Sequence, residues 1–500
     1  MQIVDRLDYC FIHRPRRFGK SLMISTLDAM FQGRTDLFKG LAAEEWVKRQ
    51  SEHPSPVIRL DMSAVQSSTP GIFQQSLLNH LGRSAAQYEL TIDTSIIADA
   101  FSNYIQDLCE SCGPVVVLID EYDAPMLNHI DKPEICGEIR ELLRSFYLVL
   151  KSSDDRLRFV MFTGVSKSGK VGVFSGLNNI KDLSLFPEYS EMLGITESEL
   201  EKNFVPWLDA LAEKQGLSRA EAVNRMREYY DGFSFDGIHR VYNPYSVLNC
   251  LNDLAFEDYW YESATPSFLM KYIKTHGITS PEEFSGTEVD KDFMNICDIE
   301  YASPESFLCQ TGYLTICGVR ENSFILDYPN NEVRHAISRL YLGAIYAVPG
   351  YPTLASKFPK EIRTCDIEAA VKTFNEMLAP IPYEDFKLPH GVPKTSEAFF
   401  RSKFVMAAHA TGLNVAAETH TRFGRSDAII FSRDATLIFE FKAAADEAEA
   451  DKKLTEAKQQ IKARHYAEAY RYKSKPVRAF ALVADISAKK IIRCEEAATQ

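Results

Sequence analysis

The chain has 500 residues, a formal net charge of −13 at pH 7 and a hydrophobic fraction of 45%. This length exceeds what one compact core holds, so two or three domains are expected. No apolar run has the length of a membrane span and no signal-peptide core is present, so we expect a cytoplasmic protein without a membrane partner. The acidic balance argues against passive coating of nucleic acid and still allows a local basic groove.

Residues 14–21 read Arg-Pro-Arg-Arg-Phe-Gly-Lys-Ser, between a short apolar strand at 9–12 and an amphipathic helix at 20–32. This context is that of a P-loop, in which amide groups at a helix start face a phosphate. Lys20 is predicted to reach the β- and γ-phosphates of ATP, and the Ser21 hydroxyl to hold Mg²⁺. The usual pattern has glycine where Arg14 stands, because the loop turns sharply. The alternative is a basic turn on a solvated face.

A continuous apolar run at 115–119 predicts a central strand of a parallel sheet, and two carboxylates follow it. Asp120 is predicted to hold Mg²⁺ through water, and Glu121 to polarise the attacking water as a general base. Ligands bind at the carboxyl ends of the strands of an open α/β sheet, where these groups would lie. The alternative is a buried strand with a solvated acidic end.

A third strand at 157–162 leads into Thr163, Ser166 and Lys167. One of these side chains is predicted to sense the γ-phosphate, although an ordinary strand-to-loop turn fits equally. Another strand is predicted at 57–62, so strands alternate with helices, as in an α/β layer fold. Cys109 and Cys112 form a C-x-x-C without the second pair that a zinc site needs, so reduced thiols are expected.

Residues 195–380 are predicted to be mostly helical, with a few strands such as 313–317. Asn243 and Pro244 form a helix start, with Asn as N-cap and Pro at the first helical position. The aromatic side chains of this region are interpreted as core, and no chemistry is found there. A proline-rich stretch at 380–393 is the candidate linker to the last domain.

The C-terminal pattern is a helix at 398–411, strands at 415–419, 424–431 and 436–442, a charged helix at 447–470 and a last strand at 477–483. Alternation places Ile438, Glu440 and Lys442 on one face of their strand. With Asp427 on the preceding strand, this is the set that metal-dependent phosphodiester cleavage requires. The alternative is a structural Glu–Lys ion pair on an edge strand.

Each member of this set has a predicted role. Asp427 and Glu440 would hold Mg²⁺, which stabilises charge on the scissile phosphate and activates a water molecule. Lys442 would orient that water or stabilise the transition-state charge. Glu418 would add a carboxylate, and Gln460 on the following helix would contact the water or the substrate.

The motifs at 13–21, 118–123, 162–167 and 174–179 together resemble the AAA-ATPase-like proteins that carry a C-terminal nuclease domain of the PD-(D/E)XK superfamily. Residues 230–232, 241–244, 310–314, 424–427 and 439–442 match the same family. In this family the Arg-Pro-Arg-Arg-Phe-Gly-Lys-Ser loop is the usual form, so Arg14 is no departure from it. Members usually carry a segment before the first strand, where this chain has eight residues.

The resemblance implies an α/β protein with an N-terminal P-loop ATPase domain at 1–195, a mostly helical middle or lid region at 196–380 and a PD-(D/E)XK nuclease-like domain at 394–500. It implies ATP and Mg²⁺ as ligands, and a nucleotide site formed by Arg16, Arg17, Gly19, Lys20, Ser21, Asp120 and Thr163. One hypothesis is a nucleotide-controlled nuclease that cuts DNA or RNA. The other is an ATP-binding switch whose inactive nuclease-like domain binds a partner or nucleic acid. The oligomeric state stays open.

Overall fold

The computed structural model describes residues 2–167, 172–177, 179–260, 267–278, 281–294, 302–381, 396–421, 424–432, 434–464, 470 and 475–498. The chain divides into two compact units. Unit 1 comprises Met1–His276 and Gly286–Asn330, and unit 2 comprises Gly277–Ser285 and Asn331–Gln500. The division falls inside the segment 196–380, and the boundaries of the three predicted domains stay a prediction.

Unit 1 contains a parallel sheet whose strands are β1 (Tyr9–His13), β2 (Val57–Asp61), β3 (Val115–Asp120), β4 (Leu157–Gly164) and β5 (Lys181–Asp182). The strand order is β2-β3-β4-β1-β5, and every pair is parallel. Strand β4 therefore lies between β1 and β3. Because all strands run the same way, the loops after β1, β3 and β4 meet at one edge of the sheet.

The helices of unit 1 are α1 (Gln2–Arg6), α2 (Lys20–Phe31), α3 (Glu44–Glu52), α4 (Pro70–Ala86), α5 (Ile97–Cys112), α6 (Ala124–Leu127), α7 (Pro133–Ser152), α8 (Glu197–Asn203), α9 (Val205–Gln215), α10 (Arg219–Tyr230), α11 (Pro244–Asp253), α12 (Ser267–Thr275) and α13 (Pro304–Thr311). Both faces of the parallel sheet are covered, which explains why its strands are continuous apolar runs. On β3, Val116 and Leu118 pack in a cluster with Ile24 of α2. Val117 and Ile119 pack in a separate cluster with α5 and α7.

The rest of unit 1 is mostly helical, with an antiparallel sheet formed by β6 (Thr287–Asp290), β7 (Thr315–Val319) and β8 (Ser323–Asp327) in the order β6-β8-β7. The predicted start of α11 is confirmed, since the Asn243 side chain accepts a hydrogen bond from the Ser246 amide at 3.1 Å and Pro244 begins the helix. The strand predicted at 313–317 begins two residues later, because α13 continues to Thr311.

Unit 2 contains the helices α14 (Asn331–Leu340), α15 (Tyr351–Arg363), α16 (Ile367–Leu378), α17 (Ser396–Ala410) and α18 (Glu447–Ala463). Its sheet consists of β9 (Val415–Thr421), β10 (Gly424–Phe431), β11 (Thr436–Ala444), β12 (Val477–Asp485) and β13 (Lys490–Ala497). The order is β13-β12-β11-β10-β9, and only the β11–β12 pair among these is parallel. Strand β11 is therefore the central strand of a mixed sheet.

The predicted alternation along β11 is confirmed by what its two faces contact. Phe404 of α17 packs on Phe439 and Phe441, with ring centroids 5.0 and 5.4 Å apart. Ile438 belongs instead to the cluster that includes Leu454 of α18. The predicted fold class is confirmed as well: a parallel sheet in the N-terminal region, a helical middle and a mixed C-terminal sheet.

Candidate functional sites

Arg14 anchors the loop between β1 and α2 instead of facing solvent. Its guanidinium is fully buried and lies 3.8 Å from the centroid of the Phe235 ring. It donates hydrogen bonds of 2.7–3.2 Å to the backbone carbonyl oxygens of His13, Ser184, Tyr189 and Met192. The interpretation of this segment as a solvated basic turn is therefore wrong.

The left-handed backbone conformations of the loop occur at Arg17, with φ of 68°, and at Gly19, with φ of 81°. Arg14 has no positive φ, so the sharp turn expected at its position falls later in the loop. This explains how an arginine stands where the usual pattern has glycine. Arg17 is exposed and lies over the ring of Tyr245, 4.8 Å from its centroid, and Ser21 is exposed at the start of α2.

Lys20 is buried at the first position of α2, at the edge of the parallel sheet. Its ammonium donates to the carbonyl oxygens of Arg14 and Pro15 at 2.9 and 3.0 Å. Burial lowers the pKa of Lys20, and the nearby carboxylates of Glu121, Asp123 and Asp120 oppose that effect. The predicted lysine and acidic residues are thus close enough to influence one another.

Asp120 and Thr163 lie side by side at the ends of β3 and β4. Both are buried, and the Thr163 hydroxyl donates to the Asp120 carboxylate. The same hydroxyl accepts a hydrogen bond from the Glu121 amide at 3.3 Å. The acidic end of β3 is therefore not solvated, and that alternative is wrong. Whether Thr163 senses a γ-phosphate stays a prediction.

Glu121 combines an unusual backbone with an unusual environment. Its φ is 49°, a left-handed conformation that costs a non-glycine residue energy and is concentrated at functional sites. Burial raises the pKa of its carboxyl, and Lys20 partly offsets the rise. A carboxylate with a raised pKa is suited to accept a proton near neutral pH.

Asp123 belongs to the same site, although the sequence analysis gave it no role. Its buried carboxylate accepts from the Val165 amide at 3.1 Å and from the amide and hydroxyl of Ser166, both at 2.6 Å. The residue before Val165, Gly164, must lack a side chain, because a Cβ there would lie 2.5 Å from the Tyr122 ring. Asp123 therefore holds the loop after β4 in place. The only sequence signal for this role was that a third carboxylate follows strand β3.

Residues of the middle region pack against the loop between β1 and α2, and this packing was not predicted from the sequence. Phe18 is buried between Phe233 and Phe235, at ring-centroid distances of 5.0 and 5.8 Å. The Trp260 indole donates to the Arg16 carbonyl oxygen at 3.3 Å. A Cβ on Gly312 would lie 2.5 Å from Pro15. These aromatic residues are core, as expected, and this core packs against the loop between β1 and α2.

In unit 2, the side chains of Glu440, Lys442 and Gln460 meet. Glu440 Oε1 accepts hydrogen bonds from Gln460 and, at 3.3 Å, from the Lys442 ammonium. Burial raises the pKa of Glu440 to about 7, and the charge of Asp427 adds to the rise while Lys442 opposes it. The predicted ion pair exists, but β11 is a central strand, so the edge-strand alternative is wrong.

Asp427 lies on β10, and its charge acts on Glu440. Its carboxylate accepts from the Phe441 amide at 2.8 Å and from Arg401 at 3.2 Å. Lys442 also donates to Glu397 at 3.2 Å. Glu397 and Arg401 were missed by the sequence analysis, and their four-residue spacing on one helix was the available signal. The side chain of Glu418 lies outside the described residues.

The residues of unit 2 fit a hard divalent cation in one respect. Glu440 Oε2 is buried and has no hydrogen-bond partner within the described part of the chain. A buried carboxylate oxygen without a partner is costly, and a cation would satisfy it. The described residues contain no group of three His, Cys, Asp or Glu side chains placed to hold a metal. Mg²⁺ commonly uses one or two carboxylates and keeps several waters, so a Mg²⁺ site here would need no third carboxylate.

Two family models match the stretches of chain that contain these residues. A family model described as a predicted AAA-ATPase matches residues 1–174, and a model of the PD-(D/E)XK nuclease superfamily matches residues 395–496. The chain therefore belongs to the AAA-ATPase-like family and carries a C-terminal domain of the PD-(D/E)XK superfamily. An uncharacterized protein in the vnfD 5′ region of Azotobacter chroococcum mcd 1 is 32% identical over 498 residues, which cover 95% of this chain and 90% of the relative. Within the described residues, every helix is too short or too polar to cross a membrane.

Proposed function

We propose that this chain binds and hydrolyses ATP and that its C-terminal domain is a Mg²⁺-dependent nuclease acting on DNA or RNA. The observation that carries the proposal is that each domain gathers the chemical groups its family requires. The charges of Asp120 and Glu121 act on the pKa of Lys20 at the start of α2, and Lys442 donates a hydrogen bond to Glu440 on the central strand of the other sheet.

In the ATPase site, Lys20 would leave its loop carbonyls and bind the β- and γ-phosphates, since a phosphate is a stronger partner for an ammonium group than a neutral carbonyl. Asp120 and Ser21 would hold Mg²⁺, which supplies charge neutralisation when bound. Glu121 would accept a proton from the attacking water. Thr163 would keep the Asp120 carboxylate in position through the hydrogen bond that it already donates.

In the nuclease site, Asp427 and Glu440 would hold Mg²⁺, which supplies Lewis-acid activation of the scissile phosphate. Lys442 would stabilise the negative charge that develops there, and Gln460 fixes the orientation of the Glu440 carboxylate. Local charge supports a nucleic-acid substrate: lysine and arginine outnumber aspartate and glutamate among residues 395–496, although the whole chain is acidic.

A second candidate function is an ATP-dependent switch whose nuclease-like domain only binds a partner or nucleic acid. It is favoured by the contacts of Asp427, whose two carboxylate oxygens already accept hydrogen bonds from Arg401 and from the Phe441 amide. The two functions differ in one observable, since only the first breaks phosphodiester bonds.

The test uses the full chain with supercoiled plasmid and single-stranded RNA, in Mg²⁺ or Mn²⁺, with and without ATP. We expect divalent-dependent cleavage that is lost in Glu440→Gln. Glu496→Gln, which removes an exposed carboxylate paired with Arg478, is the matched control and keeps cleavage. A wild-type protein that binds ATP but cleaves neither substrate would establish the switch instead.

Nucleotide binding is tested separately by calorimetry. Lys20→Ala is expected to abolish ATP binding while the protein stays folded, because the ammonium that contacts the phosphates is lost. Lys48→Ala removes an exposed lysine that pairs with Glu44 and Glu45, and it is the matched control. Equal ATP affinity in wild type and Lys20→Ala would remove the P-loop assignment.

A further inference from the structure

Helix α17 directs two side chains of opposite charge at the candidate nuclease site. Arg401 donates a hydrogen bond to Oδ1 of Asp427 at 3.2 Å. Glu397, one turn earlier on the same helix, accepts a hydrogen bond from Lys442 at 3.2 Å. Residues four apart lie on one face of a helix, which explains why both reach the same site. Each of the two therefore pairs with a site residue of opposite charge.

The two oxygens of the Asp427 carboxylate have partners of different kinds. Oδ2 accepts from the backbone amide of Phe441 at 2.8 Å, and this amide belongs to the central strand β11, so the sheet fixes its position. Oδ1 accepts from the end of the long Arg401 side chain, which can leave by rotating about its own single bonds while the helix stays in place. A cation that binds Asp427 therefore competes with Arg401 and not with Phe441.

Arg401 needs a new anionic partner when Asp427 binds a metal ion. A guanidinium and a divalent cation repel each other strongly at a separation of a few ångströms. The side chains of Arg401 and Asp427 are only 16% and 9% exposed, so water and salt screen this repulsion poorly. A largely buried charge that loses its partner is costly. The backbone of a nucleic acid offers phosphate oxygens, which the planar guanidinium binds with two parallel hydrogen bonds.

We infer that Arg401 is a substrate-binding residue that makes metal loading depend on nucleic acid. It holds Asp427 while the site is free of substrate, and it moves to a backbone phosphate of the bound nucleic acid, which releases Asp427 for Mg²⁺. This inference rests on the proposed nuclease activity, and it explains how a metal ligand can have both oxygens engaged. A high concentration of cation still loads the substrate-free site by displacing Arg401, but with lower affinity.

The first test measures Mn²⁺ binding to the full chain by calorimetry, without nucleotide or nucleic acid. Arg401→Gln is expected to bind Mn²⁺ about tenfold more tightly than wild type, because the competing charged hydrogen bond is gone. Glu440→Gln identifies the heat that comes from this site, since it removes a metal ligand. Arg493→Gln is the matched control, because it removes an exposed arginine of the same unit that pairs with Glu447 and Asp451.

The second test measures steady-state cleavage of plasmid and of single-stranded RNA at saturating Mn²⁺. Arg401→Gln is expected to raise KM for the nucleic acid by about tenfold, because one charged contact to a phosphate is lost. Tighter metal binding combined with weaker substrate binding is the signature of the exchange. A residue that only held Asp427 in position would instead weaken Mn²⁺ binding when it is replaced, and would leave KM unchanged.

Arg401→Lys keeps the positive charge but lacks the paired donors. It should bind Mn²⁺ about as weakly as wild type and still raise KM, and it provides the substrate comparison if urea unfolding shows that Arg401→Gln is not folded. Unchanged or weaker Mn²⁺ binding in a folded Arg401→Gln would overturn the inference. An unchanged KM in both variants would also overturn it, since Arg401 would then leave Asp427 for a partner other than the substrate.

Failure of this role can be told apart from failure of the proposed function. Wild-type protein that cleaves neither nucleic acid would overturn the nuclease activity and this role together. Wild-type cleavage combined with either contrary result for Arg401 would overturn this role alone.

Discussion

Replacing Arg14 with methionine tests whether the buried guanidinium holds the loop between β1 and α2 in place. Methionine keeps an unbranched side chain of similar length but removes the donors to four backbone carbonyls. Each carbonyl left without its partner costs about 2 kcal/mol, so the four together cost about 8 kcal/mol. Loss of the contact with the Phe235 ring adds about 2 kcal/mol.

One effect opposes this loss. Burial lowers the pKa of Arg14 to about 9, and a difference of this size corresponds to roughly 5 kcal/mol of cost for the charged side chain. Methionine recovers that cost, since it carries no charge. The balance predicts that Arg14→Met lowers the free energy of unfolding by about 5 kcal/mol, which is a large part of the stability of a typical domain.

The assay is urea unfolding followed by tryptophan fluorescence. All three tryptophans, Trp46, Trp207 and Trp260, lie in unit 1, so the signal reports on the unit that contains the loop. Arg17→Met is the matched control, because Arg17 is exposed and a surface substitution usually changes stability by at most about 0.5 kcal/mol. A loss below about 1 kcal/mol in Arg14→Met would refute the argument that the four carbonyls depend on this guanidinium.

Three further predictions concern catalysis, metal binding and pH. Glu121→Gln should bind ATP but hydrolyse it at least about a hundredfold more slowly in a phosphate-release assay, because the general base is lost; an unchanged rate would show that Glu121 is not that base. Lys442→Ala should bind Mn²⁺ by calorimetry yet fail to cleave plasmid, since a protonated lysine offers a metal no lone pair; loss of Mn²⁺ binding would contradict its assigned role. His409 is buried, and burial together with Arg334 and His335 holds its pKa well below the usual value. Below about pH 6.5 the unfolded chain therefore binds a proton at this histidine that the folded chain does not bind. The free energy of unfolding, measured by hydrogen exchange in α14 and α17, should then fall by up to about 1.4 kcal/mol per pH unit below about pH 6.5. An unchanged pH dependence in His409→Leu would show that His409 does not cause this fall.

The parts of this protein that the sequence predicts are those with local signals. The buried strand β3 is a continuous apolar run, and Lys20 follows a short strand and begins a helix, so neither needs distant information. The alternation of side chains along β11 likewise suffices to place Glu440 and Lys442 on one face of the strand. These local patterns were enough to identify both candidate sites.

The missed features depend on contacts between residues far apart in the chain. Nothing near Arg14 indicates that its guanidinium is buried against carbonyls about 170 residues away. In the sequence, nothing distinguishes Trp260 and Phe233 from ordinary core residues, and only the folded structure shows that they contact the loop. Glu397 likewise approaches Lys442 only once α17 packs on the sheet. The helix predicted to reach residue 470 ends at Ala463, where a charged sequence without a glycine or proline gave no stop signal.

A crystal structure of the full chain, grown with Mn²⁺ and a non-hydrolysable ATP analogue, tests the two proposed metal sites most directly, because anomalous scattering locates manganese. We expect one peak beside Ser21 and Asp120 with the nucleotide, and a second peak at about 2.2 Å from carboxylate oxygens of Asp427 and Glu440. Glu440→Gln should lose the second peak and keep the first. A loaded nucleotide site with no manganese at Asp427 and Glu440 would contradict the nuclease assignment.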